Sequence, residues 1–252
     1  MQEAYVKSSI TEGIGTVTFF HPQSNSLPGA ILRKLAEEIT SLGNNPEAKV
    51  IVLQSEGEKA FCGGASFDEL LSIDSIEKGT YFFSGFSAVI NAMRKAPKFV
   101  IARVQGRAVG GGVGLASAAD YTLAVETASV KLSELSIAIG PFVVGPAVER
   151  KIGKAAFSAL SINATEWQTA AWAKEKGLYA DVFKTVEEMD KAIADLATKL
   201  AGSNPEAMSA MKKIFWLEAE NWDTLLAERA AISGKLVLSD FTRKAIDKFK
   251  AK

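Results

Sequence analysis

Two glycine-rich turns, about fifty residues apart, constrain this chain more than any other feature of its sequence. The first is Phe61-Cys62-Gly63-Gly64 and the second is Gly110-Gly111-Gly112-Val113-Gly114. Each follows an apolar run typical of a buried strand and precedes a segment with helical character. Because glycine leaves its amide unshielded by a side chain, two such turns can present backbone N–H groups to one ligand oxygen.

The composition excludes several classes of protein. The 252 residues are 48% hydrophobic, which predicts a sizeable core rather than a disordered chain. The 29 basic residues balance the 29 acidic ones, which argues against a nucleic-acid partner. No apolar run reaches the roughly 18 residues of a membrane span, and the first residues lack a signal-peptide pattern. We therefore expect a cytoplasmic protein without a membrane partner.

The chain has one cysteine and one histidine, and these counts exclude further chemistry. A disulfide or a Cys-rich metal cluster is not possible within the chain, so we expect no metal site. A Ser-His-Asp triad would need His21, but no Gly-x-Ser-x-Gly motif surrounds a serine. His21 precedes Pro22 at a strand end, which favours a structural role. Cys62 has an apolar flank, which predicts a small buried thiol rather than a nucleophile.

Apolar periodicity predicts strands that alternate with helices, as in an α/β fold with right-handed crossovers. The predicted elements of this part are strands at 14–20, 50–53, 99–104 and 121–125, and helices at 28–42, 80–95 and 111–119. After Pro141 the pattern is mainly helical, with helices predicted at 165–176, 186–201, 205–216 and 222–239. We predict an α/β core over residues 1–200 and a helical C-terminal region over residues 201–252.

The second glycine run fits no nucleotide-binding motif. Leu115 and Ser117 stand where a G-x-G-x-x-G pattern would need its third glycine, and no Gly-Lys-Ser/Thr follows. The run then indicates either a helix N-terminus that polarises an oxygen or a turn that allows close packing. Glu134 follows in an apolar segment, where burial would raise the carboxyl pKa toward the range useful for proton transfer. The alternative for Glu134 is an ion-paired or helix-capping side chain.

The order and spacing of the motifs resemble the enoyl-CoA hydratase/isomerase, or crotonase, superfamily over essentially the whole chain. The matching segments are His21-Pro22, Asn25-Ser26-Leu27, Phe61-Cys62-Gly63-Gly64-Ala65, the run 104–112, Ala119-Asp120, Ser133-Glu134 with Pro141, and Lys176-Gly177-Leu178. The resemblance implies a crotonase-like ββα spiral core and a C-terminal region that forms a homotrimer or a dimer of trimers. It also implies an acyl-CoA thioester substrate, with coenzyme A as part of the substrate and no further cofactor.

The resemblance also implies a set of site residues. The amides of Gly63 and Gly111 would hold the thioester oxygen, and Glu134 would carry the proton. Further substrate-binding residues would be Cys62, Gly64, Ala65, Phe67, Gly110, Gly114 and Pro141. Two groups stay open between a structural and a binding role: the aromatic residues Tyr81, Phe82, Phe83 and Phe86, as core or acyl pocket, and the basic residues Lys212, Lys213 and Arg229, as solvated charges or contacts to coenzyme A phosphates.

The chain departs from the superfamily pattern at four positions. Straight-chain hydratases use two glutamates to hold one water, and the first would stand at residue 114, which is glycine here. Gly114 can neither move a proton nor orient water. Ser66, Gln105 and Ala138 replace a common aspartate, asparagine and glycine. These departures argue against the two-carboxylate hydratase mechanism.

Local sequence around the second glycine run and Glu134 is similar to bacterial methylglutaconyl-CoA hydratase-like members of the superfamily. The expected function is therefore hydration or dehydration of a short branched or 3-substituted 2-enoyl-CoA, with one glutamate for proton transfer. One alternative is an enoyl-CoA isomerase, which needs no activated water. A second alternative is an acyl-CoA-binding protein without catalytic activity.

Overall fold

A computed structural model describes residues 2–250 of the chain, so the last two residues of the predicted C-terminal region lie outside the described residues. The strands are β1 Tyr5–Thr11, β2 Ile14–Phe20, β3 Ser26–Leu27, β4 Val50–Ser55, β5 Ala60–Cys62, β6 Gly64–Ala65, β7 Val100–Val104, β8 Arg107–Val109, β9 Tyr121–Val125, β10 Ser129–Lys131, β11 Gln168–Thr169 and β12 Asp181–Phe183. The helices are α1 Gly29–Asn44, α2 Phe67–Ser72, α3 Ile76–Lys95, α4 Gly111–Ala118, α5 Gly145–Ile162, α6 Ala170–Glu175, α7 Val186–Ala201, α8 Pro205–Phe215, α9 Trp222–Leu236 and α10 Asp240–Lys250. No described helix combines the length and the apolar character that crossing a bilayer requires.

Two main sheets organise the fold. The larger has the order β1-β2-β4-β7-β9-β12, in which only β1 and β2 pair antiparallel. The smaller has the order β11-β10-β8-β5. The inner strands β4 and β7 are buried almost throughout, as their continuous apolar sequences predict.

The chain alternates between the two sheets. It passes from β4 to β5, from β7 to β8 and from β9 to β10, so each step takes it from the large sheet to the small one. A helical segment then returns it to the next strand of the large sheet. This repeated β-β-α path is a spiral, and it confirms the predicted α/β class with a spiral core.

Several predicted elements match closely, but two predicted helices begin at other residues, and the one predicted at 80–95 already begins at Ile76. The strands predicted at 14–20 and 121–125 and the helix predicted at 186–201 have the same bounds in the structure. The helix predicted at 165–176 begins only at Ala170, because β11 first pairs antiparallel with β10. Thr169 then caps α6 by accepting the Trp172 N–H at 3.1 Å. The helix α5 was not predicted, and its regularity is broken at Gly153, which has a φ of 74°.

The C-terminal helices pack directly on the core. Helix α9 crosses α3 at two glycines, since a Cβ built on Gly79 would lie 2.8 Å from the Cα of Gly234. The boundary between core and C-terminal region predicted near residue 200 stays a prediction. A single hydrophobic cluster includes residues on both sides of it, among them Ala197, Trp216 and Leu226.

A buried ion pair ties α8 to the core. The Nζ of Lys212 lies 2.8 Å from Oδ2 of Asp120, and these side chains are only 3% and 7% exposed. The same ammonium donates to the carbonyl of Met93 at 2.7 Å, and the Trp216 indole donates to Oδ1 of Asp120 at 2.8 Å. Lys212 is therefore a structural residue, neither solvated nor free for a coenzyme A phosphate.

Removal of the Lys212 ammonium should destabilise the protein strongly. In Lys212→Met, the Asp120 carboxylate stays buried without its cation, so we expect the free energy of unfolding to fall by about 3–5 kcal/mol in urea denaturation. The double variant Asp120→Asn/Lys212→Met should recover part of this loss. As a control, Lys154→Met removes a long surface contact of 3.8 Å to Glu149 and should cost less than about 1 kcal/mol. A similarly small loss in Lys212→Met would contradict the assignment.

Candidate active site

One narrow pocket collects most of the predicted site residues. Of these, Gly63, Gly64, Ala65, Phe67, Gly110, Gly111, Glu134 and Pro141 line it. The rest of the wall is mostly apolar and consists of Leu70, Phe83, Phe86, Ser133, Ile137, Ile139, Gly140, Phe142, Val143, Val144 and Ser233. The cavity volume is about 60 Å³, which is room for a few waters or a short chain.

Cys62 lies behind the pocket rather than in its wall. Its side chain is fully buried, and its Sγ accepts the Gly64 N–H at 3.4 Å. Burial raises the pKa of the Cys62 thiol to about 12. The thiolate needed for nucleophilic attack is therefore disfavoured, and Cys62 is a packing residue.

Gly114 is also absent from the residues that line the pocket, and Val144 explains why. A Cβ built on Gly114 would lie 2.4 Å from Cγ1 of Val144. Val144 itself faces the pocket. The space that a side chain at residue 114 would use is therefore filled by an apolar group.

The two glycine turns converge at the base of the pocket. A Cβ built on Gly64 would lie 2.9 Å from the carbonyl oxygen of Val109 and 3.6 Å from the amide nitrogen of Gly111. At Gly111 itself a Cβ would lie 2.1 Å from Cε1 of Phe86, so only glycine fits beneath that ring. Gly111 is the first residue of α4, where an N–H group has no carbonyl partner within the helix.

The amide of Gly63 does not face the pocket as a free donor, which corrects the sequence-based assignment. Its N–H donates to the carbonyls of Ser24 at 3.0 Å and Asn25 at 3.1 Å. These bonds hold the first glycine turn against the loop before β3. Gly63 therefore lines the pocket with its backbone, but its N–H group is already hydrogen-bonded within the protein.

The amide of Ala65 is better placed. Strand β6 pairs in parallel with β3, and the Ser66 N–H donates to the carbonyl of Leu27 at 3.0 Å. In a parallel ladder the N–H groups of successive residues point alternately toward and away from one neighbouring strand. The Ala65 N–H therefore points away from β3, and Ala65 lines the pocket.

Glu134 supplies the one carboxylate of the pocket wall. It begins a 3₁₀ turn that ends at Ile137, and its Oε1 would be 3.0 Å from a Cβ built on Gly110. Although the residue as a whole is half-buried, its Oε2 is out of reach of solvent and has no hydrogen-bond partner among the described residues. Burial raises the pKa of Glu134 to about 7, against the opposing effect of a backbone hydrogen bond. Near neutral pH the carboxyl group can both take up and release a proton.

The structure gives Ser66 and Gln105 local roles, and it places Ala138 where the glycine common in the superfamily would be favoured. Ser66 caps α2 by accepting the Glu69 N–H at 3.4 Å, a role that aspartate also fills. Gln105 is buried and donates to the Ser55 hydroxyl at 2.9 Å. Ala138 ends the 3₁₀ turn with a φ of 58°, in the left-handed region that favours glycine.

The structure also separates the residues whose roles were open. His21 lies outside the pocket, where its Nδ1 accepts the Gln23 N–H at 3.4 Å, which supports a structural role. Phe83 and Phe86 line the pocket, whereas Tyr81 is 63% exposed. The remaining aromatic residue, Phe82, belongs to the core, and Lys213 lies in an exposed groove elsewhere.

Some residues that line the pocket were not predicted from the sequence. Ser233 reaches the pocket from α9, a hundred residues after Glu134, and nothing in the local sequence marks it. Phe142 and Val144 belong to the turn after Pro141. The only sequence signal for a role of this turn in the site was its similarity to the corresponding turn of other superfamily members. Among the described residues, no group of three or more His, Cys, Asp or Glu side chains is placed to hold a metal ion.

Comparisons with known sequences identify the family of the chain. The family model described as Enoyl-CoA hydratase/isomerase matches residues 9–252. Rat mitochondrial methylglutaconyl-CoA hydratase is 34% identical over 197 residues, which cover 75% of this chain and 60% of that protein. The peroxisomal delta(3,5)-delta(2,4)-dienoyl-CoA isomerase of Arabidopsis thaliana is 28% identical over 205 residues, which cover 75% of this chain and 72% of that protein.

The fold is also similar to that of solved proteins. A crystal structure of enoyl-CoA hydratase from Bacillus halodurans superposes with a TM-score of 0.89, covering 97% of this chain and 99% of that one. At 21% sequence identity this likeness shows the spiral fold alone. Taken with the family match over nearly the whole length, it leads to one conclusion: the chain is an enzyme of the enoyl-CoA hydratase/isomerase family, within the crotonase superfamily.

Proposed function

We propose that this enzyme adds water to, or removes it from, a short branched or 3-substituted 2-enoyl-CoA, with Glu134 as the single proton carrier. The observation that carries the proposal is the Glu134 carboxylate, which is buried in an apolar pocket with its Oε2 unpartnered among the described residues and its pKa near 7. The similarity to methylglutaconyl-CoA hydratases supports the same reaction class. The small cavity supports a short acyl chain.

The thioester oxygen would lie between the amides of Ala65 and Gly111. Both residues line the pocket, and the Gly64 backbone brings the two turns within contact of each other. Ala65 replaces Gly63 in this proposal because the Gly63 amide already bonds to two carbonyls. Loss of one such donor typically costs about 3–4 kcal/mol of transition-state stabilisation, so the pair would supply much of the catalysis.

The proton path requires only one carboxylate. In hydration, Glu134 takes a proton from water while the water oxygen bonds to C3, and the electrons of the double bond move toward the thioester oxygen. The enolate is stabilised by the two amides, and Glu134 then returns the proton to C2. Dehydration is the reverse sequence. A carboxyl pKa near 7 suits both proton transfers at neutral pH.

A second candidate function is the isomerisation of a 3-enoyl-CoA to a 2-enoyl-CoA. The observation that favours it is Val144, which fills the space beside Gly114 where a second carboxylate would hold water. In this reaction Glu134 takes a proton from C2 and returns it to C4, while the double bond moves into conjugation with the thioester. No water enters the product.

Product analysis with Glu134→Gln tests the proposal. The wild-type enzyme should remove the conjugated-thioester absorbance of a 3-substituted 2-enoyl-CoA and yield a product heavier by one water. Glu134→Gln should lower kcat by about 10²–10⁴-fold and keep its affinity for the thioester, measured by calorimetry. Conjugated product of unchanged mass from a 3-enoyl-CoA would identify the isomerase. Equal turnover of every thioester by both proteins would exclude Glu134 as the proton carrier.

The same substitution should have a pH-dependent effect on stability. Because burial raises the pKa of Glu134 from 4.5 in the unfolded chain to about 7, protonation stabilises the folded state. That contribution is complete below about pH 4.5 and is lost as the pH rises through 7. Glu134→Gln should therefore raise the free energy of unfolding at pH 8 by up to about 3 kcal/mol, and by much less at pH 4. Urea denaturation measures this, with Glu58→Gln, at an exposed loop position, as the control.

The pair formed by Gly114 and Val144 gives a test of the second candidate. Gly114→Glu alone should fold poorly, because its Cβ would overlap Val144. The double variant Gly114→Glu/Val144→Gly has room for the new side chain, and its carboxylate can orient water. If Val144 keeps water out of the wild-type pocket, this double variant should hydrate a 2-enoyl-CoA at least about tenfold faster than the single variant Val144→Gly. Equal hydration rates in the wild type and the double variant would show that residue 144 does not limit access of water.

A further inference from the structure

We propose that the preferred substrate is an acyl-CoA whose acyl chain ends in a carboxylate, and that Arg229 binds this carboxylate in a groove next to the catalytic pocket. The inference rests on the proposed function, because it assigns the acyl end to that pocket. It goes further in naming the charge of the substrate and the residue that recognises it.

The groove adjoins the catalytic pocket through shared walls. Pro141 and Phe142 line both cavities. The Phe142 ring packs on Gly140, where a Cβ would lie 2.6 Å from its Cζ, and this ring borders both cavities. An acyl chain that extends past Phe142 would leave the buried pocket and enter the groove.

Arg229 is positioned to meet such a chain. It lies on α9 four residues before Ser233, and residues at this spacing share one face of a helix. Ser233 lines the catalytic pocket and Arg229 lines the groove, so the same face of α9 borders both.

The charges around Arg229 favour an anionic ligand. Arg229 is half-buried, and its guanidinium group forms no ion pair with a described residue. The groove contains one carboxylate, Glu149, whose ion-pair partner is Lys154 at 3.8 Å. Arginine binds carboxylates through paired, charge-assisted hydrogen bonds. A distal carboxylate would satisfy this cation, whereas an alkyl end would leave it without a partner.

Two substrates that differ only at the distal end test the proposal: 3-methylglutaconyl-CoA, which ends in a carboxylate, and 3-methyl-2-pentenoyl-CoA, which ends in a methyl group. Arg229→Gln should raise KM for the carboxylated thioester roughly tenfold or more and change KM for the uncharged one by less than about twofold. Lys235→Gln removes an exposed charge from the same helix and should change neither value. Glu149→Gln removes a like charge and should lower KM for the carboxylated thioester.

Three results would overturn the proposal. Arg229→Gln could leave KM for the carboxylated thioester unchanged, or raise KM for both thioesters equally. It could also weaken the binding of free coenzyme A in calorimetry, which would place Arg229 at the nucleotide phosphates. If the wild type turned over neither thioester, the proposed function would fail. In that case the calorimetric affinities of both thioesters for wild type and Arg229→Gln would still decide the role of the arginine.

Discussion

The site depends on how tightly the protein packs around the glycines of the two turns. At Gly64, Gly111 and Gly112, an added Cβ would lie within 3 Å of another group: the Val109 carbonyl, the Phe86 ring and the Cys62 carbonyl, respectively. Real Cβ atoms do not tolerate such distances, so glycine is required at all three positions. These contacts bring β6 and the start of α4 together at the base of the pocket.

Burial of Glu134 shows how stability and chemistry oppose each other in this pocket. The apolar wall that raises the carboxyl pKa also withholds solvation from the charged form. Hydrogen bonds to the carboxylate would relieve that cost, but they would lower the pKa again. The unpartnered Oε2 is therefore consistent with selection for a proton carrier rather than for a stable fold.

Local sequence signals were sufficient for the buried strands β2, β4, β7 and β9 and for the two glycine turns, whereas Glu134 was singled out by the resemblance to the superfamily. They failed where the answer depended on a distant segment. Gly63 and Ala65 are both small residues in one turn, and only their pairing with Ser24, Asn25 and Leu27 decides which amide is free. The filling of the space at Gly114 likewise depends on Val144, thirty residues later. The short strand β11 was missed because its partner, rather than its own sequence, keeps it from continuing as helix.

The crossing of α9 over α3 has a consequence for how the protein is made. Ser233 closes the pocket from a helix near the end of the chain, and the glycine contact that seats this helix joins Gly79 to Gly234. During synthesis the N-terminal segments leave the ribosome first. Until α9 has emerged and docked, Phe83, Phe86 and the rest of the apolar wall have one side open to water. The binding surface is therefore complete only after α9 has been synthesised and has docked on α3.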